Sequence, residues 1–256
     1  MKFRFWCEFP DDVDWEKLAK WLNELDLDIE IYTAVRSRKD FNKLKKKISH
    51  FSERIEANPW PVLDKKDGYW FSGFVSKENI DLLDDFKDLK IKIDVEPPLP
   101  DESYTFFSGS KWVLGGLFKK SKNSEYLREK IKKLDKETKI IASSFPMPKF
   151  MLRRFGWEEA KENNFMFYPS FAPLWIRWLY RFLFRFFIKM NKGANIAIGL
   201  IGVGIFGDEP IYKSLSEFKT DLNFLDKNKV KKCFIFELSA VTRRGKEWLQ
   251  VIKDYS

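Results

Sequence analysis

The sequence predicts an α/β fold of the TIM-type (β/α)8 barrel class, eight parallel strands each followed by a helix, as a single domain over residues 1–256. Three observations carry this expectation. Short stretches of period-two alternation recur eight times, each followed by a stretch with apolar residues three or four apart, and such alternation implies a parallel sheet. The length of 256 residues suits eight such units in one domain. Helix-to-strand connections are short (Asp26-Leu27-Asp28, Ser52-Glu53, Asp88-Leu89-Lys90), whereas strand-to-helix connections are often long and hold much of the Trp, Tyr and Pro. That asymmetry matches a barrel whose working face is at the strand C-termini. A doubly wound sheet is the alternative.

Each element follows from local pattern. Phe3 to Phe9 alternates as a first strand, and Trp15, Leu18, Leu22 and Leu25 mark the first helix. Ile29 to Arg36 is the second strand. Ser37, with Asp40 three residues on, caps a helix with Phe41, Leu44, Ile48 and Phe51 on its stripe. The third strand is read as Arg54 to Asn58, ended by Pro59-Trp60-Pro61, and Ser76 caps the next helix. Ile91 to Glu96 is the fourth strand, stopped by Pro97-Pro98. Ser124 opens a helix with Leu127, Ile131 and Leu134; Lys139 to Ser144 is the fifth strand, before a short helix around Phe150 to Glu162. Phe165 to Tyr168, Asn195 to about Val203, and Cys233 to Leu238 supply the last three strands. The helices after them are Leu174 to Met190, one opened by the capping box Ser214-Leu215-Ser216-Glu217, and Arg243 to Lys253.

Composition narrows the chemistry. The chain is 44% hydrophobic and 33% charged, as globular proteins are. Its net charge of +9 comes mainly from Lys in helical runs such as Lys43 to Lys47, which reads as solvated surface, so nucleic acid is not expected. Two cysteines, Cys7 and Cys233, are too few for a disulfide framework or a metal site, and no apolar leader precedes them; a cytoplasmic protein is expected. His50 is the only histidine, which argues against a Ser-His-Asp triad or a His-rich metal site. No cofactor or metal is expected.

If the more polar face of each strand points inward, acids collect at the strand ends. Glu8, Arg36, Glu56, Asn58, Asp94, Glu96 and Glu237 converge, Asp208 and Glu209 follow on a loop, and Arg4, Glu30, Arg54 and Lys92 lie deeper. Paired carboxylates on a rim suit glycosidic chemistry, one protonating the leaving oxygen and another acting as nucleophile or base. Glu96, Asp94 and Glu237 are the candidate catalytic residues. Glu8, Arg36, Glu56, Asn58 and Glu209 are candidate substrate contacts, with Trp60, Trp112 and Tyr168 among the aromatics that could stack on a carbohydrate or another small polar substrate. A salt-bridged interior in which acids only neutralise bases is the competing reading.

The run Ile93-Asp94-Val95-Glu96 resembles the strand end hydrophobic-Asp-x-Glu of chitinase- and lysozyme-like glycoside hydrolase barrels. The resemblance implies that Glu96 is the proton donor and Asp94 assists it. Leu89 and Lys92 stand where the fuller Asp-x-x-Asp-x-Asp-x-Glu pattern has its earlier acids.

Two further stretches stand out. Gly199, Gly202, Gly204 and Gly207 lie at and beyond the end of the seventh strand, where barrels often hold phosphate, but Asp208 and Glu209 would repel phosphate and a tight turn needing positive φ is the simpler cause. The helix from Leu174 to Met190 carries Arg177, Arg181, Arg185 and Lys189 as a slanted stripe amid Trp175, Trp178 and other apolar residues, with no acid from Phe165 to Gly207. It suits an anionic membrane surface, a homodimer or partner contact, or burial under loops.

Overall fold

The computed structural model describes residues 1–99, 115 and 121–256. The elements run β1 (Lys2–Cys7), α1 (Trp15–Leu25), β2 (Ile29–Val35), α2 (Arg38–Phe51), β3 (Ile55–Pro61), α3 (Lys77–Asp81), β4 (Ile91–Asp94), α4 (Ser124–Glu137), β5 (Ile140–Ser144), α5 (Lys149–Leu152), β6 (Glu162–Phe167), α6 (Arg177–Met190), β7 (Asn195–Ile198), α7 (Leu215–Lys227), β8 (Lys232–Phe236), α8 (Leu238–Arg244) and α9 (Lys246–Asp254). One sheet holds all eight strands in the order β3-β2-β1-β8-β7-β6-β5-β4. Its ladders are parallel. This is the strand order of a (β/α)8 fold read from β3 to β4, and every strand is followed by helix.

Local chemistry sets the helix starts. Asp14 accepts from Lys17 N at 3.0 Å at the head of α1. The Ser37 hydroxyl accepts from Asp40 N at 3.1 Å, Ser76 caps α3, and Ser214 accepts from Glu217 N at 3.3 Å to open α7. Strand limits depart more from expectation. β3 does not stop at Asn58 but runs through Pro59-Trp60-Pro61. Val62 N donates to Val35 O. Alternation along the strand therefore turns the nitrogens of Pro59 and Pro61 away from β2, toward the end of the strand order, where no donor is required. β7 and β8 are shorter than expected, ending at Ile198 and Phe236.

The chain divides into two compact units. The first comprises Met1–Thr33, Lys43–Ala57 and Phe167–Ser256; the second comprises Ala34–Asn42 and Asn58–Met166. In the first unit, Arg4 pairs in register with Glu30 and Phe234, and Trp6 with Tyr32 and Phe236. The face they form is buried. Arg4 Nε donates to Glu30 Oε2 at 3.1 Å, Tyr32 Oη donates to Glu30 Oε1 at 2.6 Å, and Lys2 Nζ lies 3.0 Å from Glu30 Oε2. The Arg4 guanidinium also lies over the Phe234 ring, 5.6 Å from its centroid. This corrects the expected orientation of β8: Phe234 and Phe236, not Cys233, Ile235 and Glu237, share the face of Arg4 and Trp6. In the second unit, Asp94, Ser143 and Asn164 stand side by side across β4, β5 and β6.

Removing one partner of a buried ion pair strands the other charge. Arg4→Ala should therefore destabilise the fold by about 3–5 kcal/mol, read as a lower urea midpoint at unchanged slope. Arg54→Ala, which releases exposed Asp26 and Asp28, should leave the midpoint close to that of the parent protein.

Candidate functional site

In the first unit, three acids meet where β1 ends, where β8 ends, and in the segment after β7. Glu237 follows β8 and is the N-cap of α8. Its Oε2 accepts from Ala240 N at 3.2 Å and from the Ser239 hydroxyl, while Oε1 accepts from Glu8 N at 3.1 Å. Both oxygens are thus engaged in tying the start of α8 to the end of β1. Glu237, expected inside the strand, instead caps α8, because β8 ends at Phe236, two residues short of the expected Leu238.

Glu8 and Glu209 are different. Each is more than nine-tenths buried. A methyl group on Gly204 would stand 2.8 Å from Glu209 Oε1, 3.0 Å from Glu8 Oε2 and 2.9 Å from Phe236 Cζ. The two carboxylate oxygens therefore lie no more than about twice that distance apart, with a bare glycine between them. Glu209 Oε1 accepts from Phe206 N at 3.2 Å. Glu209 Oε2 is buried and has no hydrogen-bond partner among the described residues. Beside this pair, Trp6 and Phe236 meet edge-on at 5.4 Å between centroids, and Tyr168, half-buried, stands 6.4 Å from each. Phe236 was not legible as a site residue, because an inward aromatic face on β8 was read as its outward one; Trp6 shares the inward face of β1 with Arg4 and Glu8 but was not singled out.

The glycines of the β7 segment answer mainly to close packing. A Cβ on Gly202 would fall 2.1 Å from Ala240 Cβ, and only Gly207, at φ +82, requires the left-handed conformation within the segment. Arg243, half-exposed, brings Nη2 within 3.9 Å of that point on Gly202 and lies 3.7 Å from Asp12.

In the second unit, Asp94 Oδ2 accepts from Lys92 Nζ at 2.6 Å, with Lys92 wholly buried and its ammonium 3.8 Å from the centroid of the Trp60 ring. Burial pushes the Asp94 carboxyl up, and the Lys92 ammonium opposes that. Asp94 Oδ1 has no hydrogen-bond partner among the described residues. Asn164 Nδ2 donates to Ser143 Oγ at 3.0 Å in the same row. Glu96 is buried beyond the end of β4, its amide donating to Phe71 O at 3.3 Å. Trp60 is a buried β3 side chain, 1% exposed, rather than a loop platform. Asn58 is buried in the same strand. Arg36 follows β2, is two-thirds exposed and pairs with Asp64 at 2.9 Å.

Glu56 is the second residue of β3 and exposed, so it lies at the N-terminal end of its strand, opposite to the end expected. The extra length of β3 past Asn58 is the reason. Trp112 falls outside the described residues. Two of the cations expected to face a membrane or partner do not. Arg177 donates to Glu217 Oε2 at 2.8 Å and Arg181 to Asp221 Oδ1 at 2.6 Å. The acids of α7, forty residues away in sequence, claim them. Burial pushes the Cys7 and Cys233 thiols up, which leaves neither as a thiolate nucleophile. Among the described residues, no group of three His, Cys, Asp or Glu is placed to hold a metal ion.

No protein-family model and no curated protein matches the chain. The likeness of Ile93-Asp94-Val95-Glu96 to glycoside hydrolase strand ends therefore rests on those four residues. Among solved structures, the chain is similar to a protein described as a fructose-1,6-biphosphate aldolase from Coccidioides immitis, at 9% identity and a TM-score of 0.47, covering 91% of this chain and 72% of that one. It is also similar to dihydropteroate synthase from Anaplasma phagocytophilum with bound 6-hydroxymethylpterin-monophosphate, at 14% identity and a TM-score of 0.38, covering 98% of this chain and 100% of that one. Likenesses this distant leave the chemistry to the residues themselves. The strand order makes the chain a (β/α)8 protein.

Burial raises the Glu237 carboxyl above its ordinary range, against the hydrogen bonds from Ser239 and Ala240 that favour the charged form. The folded protein then holds a proton that the unfolded chain releases. The associated stability is fully present below the ordinary glutamate value of about 4.3 and is lost as pH rises through the raised folded value. Glu237→Gln should flatten the fall in Tm with rising pH across the mildly acidic range, as read in thermal melts of both proteins.

Proposed function

We propose that the chain is a (β/α)8 enzyme acting on a small polar substrate, and in particular a hydrolase of sugar-like substrates working through buried carboxylates beyond the strand C-termini. The observation that supports it is the Glu8–Glu209 pair on either side of Gly204, beside the rings of Trp6, Phe236 and Tyr168. Retaining glycosidases hold their two carboxyls about 5–5.5 Å apart, and this pair falls within reach of that spacing. Glu209, with one oxygen unengaged among the described residues, is the nucleophile. It bonds to the anomeric carbon as the glycosidic bond breaks, and the leaving oxygen takes the proton of Glu8. Water then cleaves the glycosyl ester, with Glu8 as base. The half-buried Tyr168 offers an apolar ring to the CH face of a sugar. Glu96, at the end of β4, is the competing proton donor.

Turnover of an aryl-glycoside and oligosaccharide panel tests this reading. Glu209→Gln and Glu8→Gln should each lower kcat by about 10²–10⁴ with the melting temperature retained, while Glu24→Gln, in an exposed pair with Lys246, should not. Loss on Glu96→Gln with Glu8→Gln active would move the donor to β4. No turnover by the parent protein, or full activity of Glu209→Gln, overturns the proposal.

A phosphate-bearing substrate is the second reading, favoured by Arg243 beside the glycine segment at Gly202. Inorganic phosphate should then raise Tm, and Arg243→Ala should abolish the rise; no rise with phosphate rejects it.

A further inference from the structure

We propose that α6 is an interfacial helix that docks the protein on an anionic lipid surface. The helix has two sides. One is fastened down: Phe184 is buried and meets the Phe167 ring at 4.3 Å. Arg177 binds Glu217 and the Ala172 carbonyl, and Arg181 binds Asp221. These contacts hold the helix in one rotation about its axis.

That rotation turns the other side outward. Trp175, Trp178, Phe182, Leu183, Phe186 and Met190 are 48% to 76% exposed. They recur at three- and four-residue steps, so they form one continuous strip along α6 and the turn before it. A strip of this kind, bearing two tryptophans, is far more than the scattered exposed apolar residues a soluble surface carries. Arg185 and Lys189 are exposed on its flank and Lys192 just beyond it. The Lys189 ammonium lies over the Phe186 ring, 5.8 Å from its centroid, as a snorkelling side chain does. No acidic residue occurs from 165 to 207.

Charge decides the occupant. A second copy packed strip to strip would bring Arg185 and Lys189 near their own equivalents, with no carboxylate in this segment to pair them. An anionic headgroup layer complements them while its acyl boundary receives the rings. No helix among the described residues is long and apolar enough to cross a membrane, so α6 lies in the interface plane.

The test is flotation with vesicles of equal parts phosphatidylglycerol and phosphatidylcholine, against pure phosphatidylcholine vesicles, with sedimentation velocity at the same protein concentration. The protein should float with the anionic vesicles and sediment as a monomer without them. Trp175→Ser combined with Trp178→Ser, and separately Arg185→Glu combined with Lys189→Glu, should each lower the partition coefficient about tenfold or more. These side chains are exposed, and an unchanged Tm will show that folding is retained. No flotation with anionic vesicles overturns the proposal. So does a dimer dispersed by the tryptophan variant in a protein that ignores vesicles, since the strip is then a self-interface.

Discussion

Charged side chains on buried strand faces must be neutralised where they stand, and that constraint organises both units. Arg4, Glu30 and Tyr32 close one network, and Lys92 and Asp94 close another under the ring of Trp60. Ionised groups taken out of water are tolerated only with partners and hydrogen bonds in place. The first network also bears on register. Arg4 and Glu30 are cross-strand neighbours, so a one-residue slip of β2 would turn Glu30 to the opposite face and leave Arg4 unmatched.

Neutralisation places the acids in different settings. Asp94 is held by Lys92, and Glu237 by α8 and the Glu8 amide. Glu8 and Glu209 face each other across Gly204 instead. The glycine matters by what it lacks: any side chain there would collide with both carboxylates and with Phe236. Close packing by small residues thus shapes the candidate site, where a turn needing positive φ was the simpler expectation from the glycine spacing.

The same sorting of charges explains α6. Its four cations look like one stripe in sequence, yet Arg177 and Arg181 are taken by Glu217 and Asp221 while Arg185 and Lys189 remain outside. The stripe slants across the helix, so its first half meets α7 and its second half meets solvent.

What the sequence determined was whatever depends on neighbours within a few residues: the succession of strands and helices, the caps at Ser37, Ser76 and Ser214, and the faces of β1 and β2. It also placed Glu8, Asp94, Glu96 and Glu209 beyond or near strand C-termini. The face of β8, the length of β3 and the end of Glu56 were misread. An aromatic inner face and prolines on the last strand of the order violate local rules that only sheet position can relax. Apart from Lys92 and Asp94, two residues apart on one face of β4, which carboxylates are neutralised and which meet was decided by tertiary structure. Those pairings join residues on different strands and loops, Glu8 to Glu209 above all, and the path of the segment after β7 leaves no periodic trace in the chain.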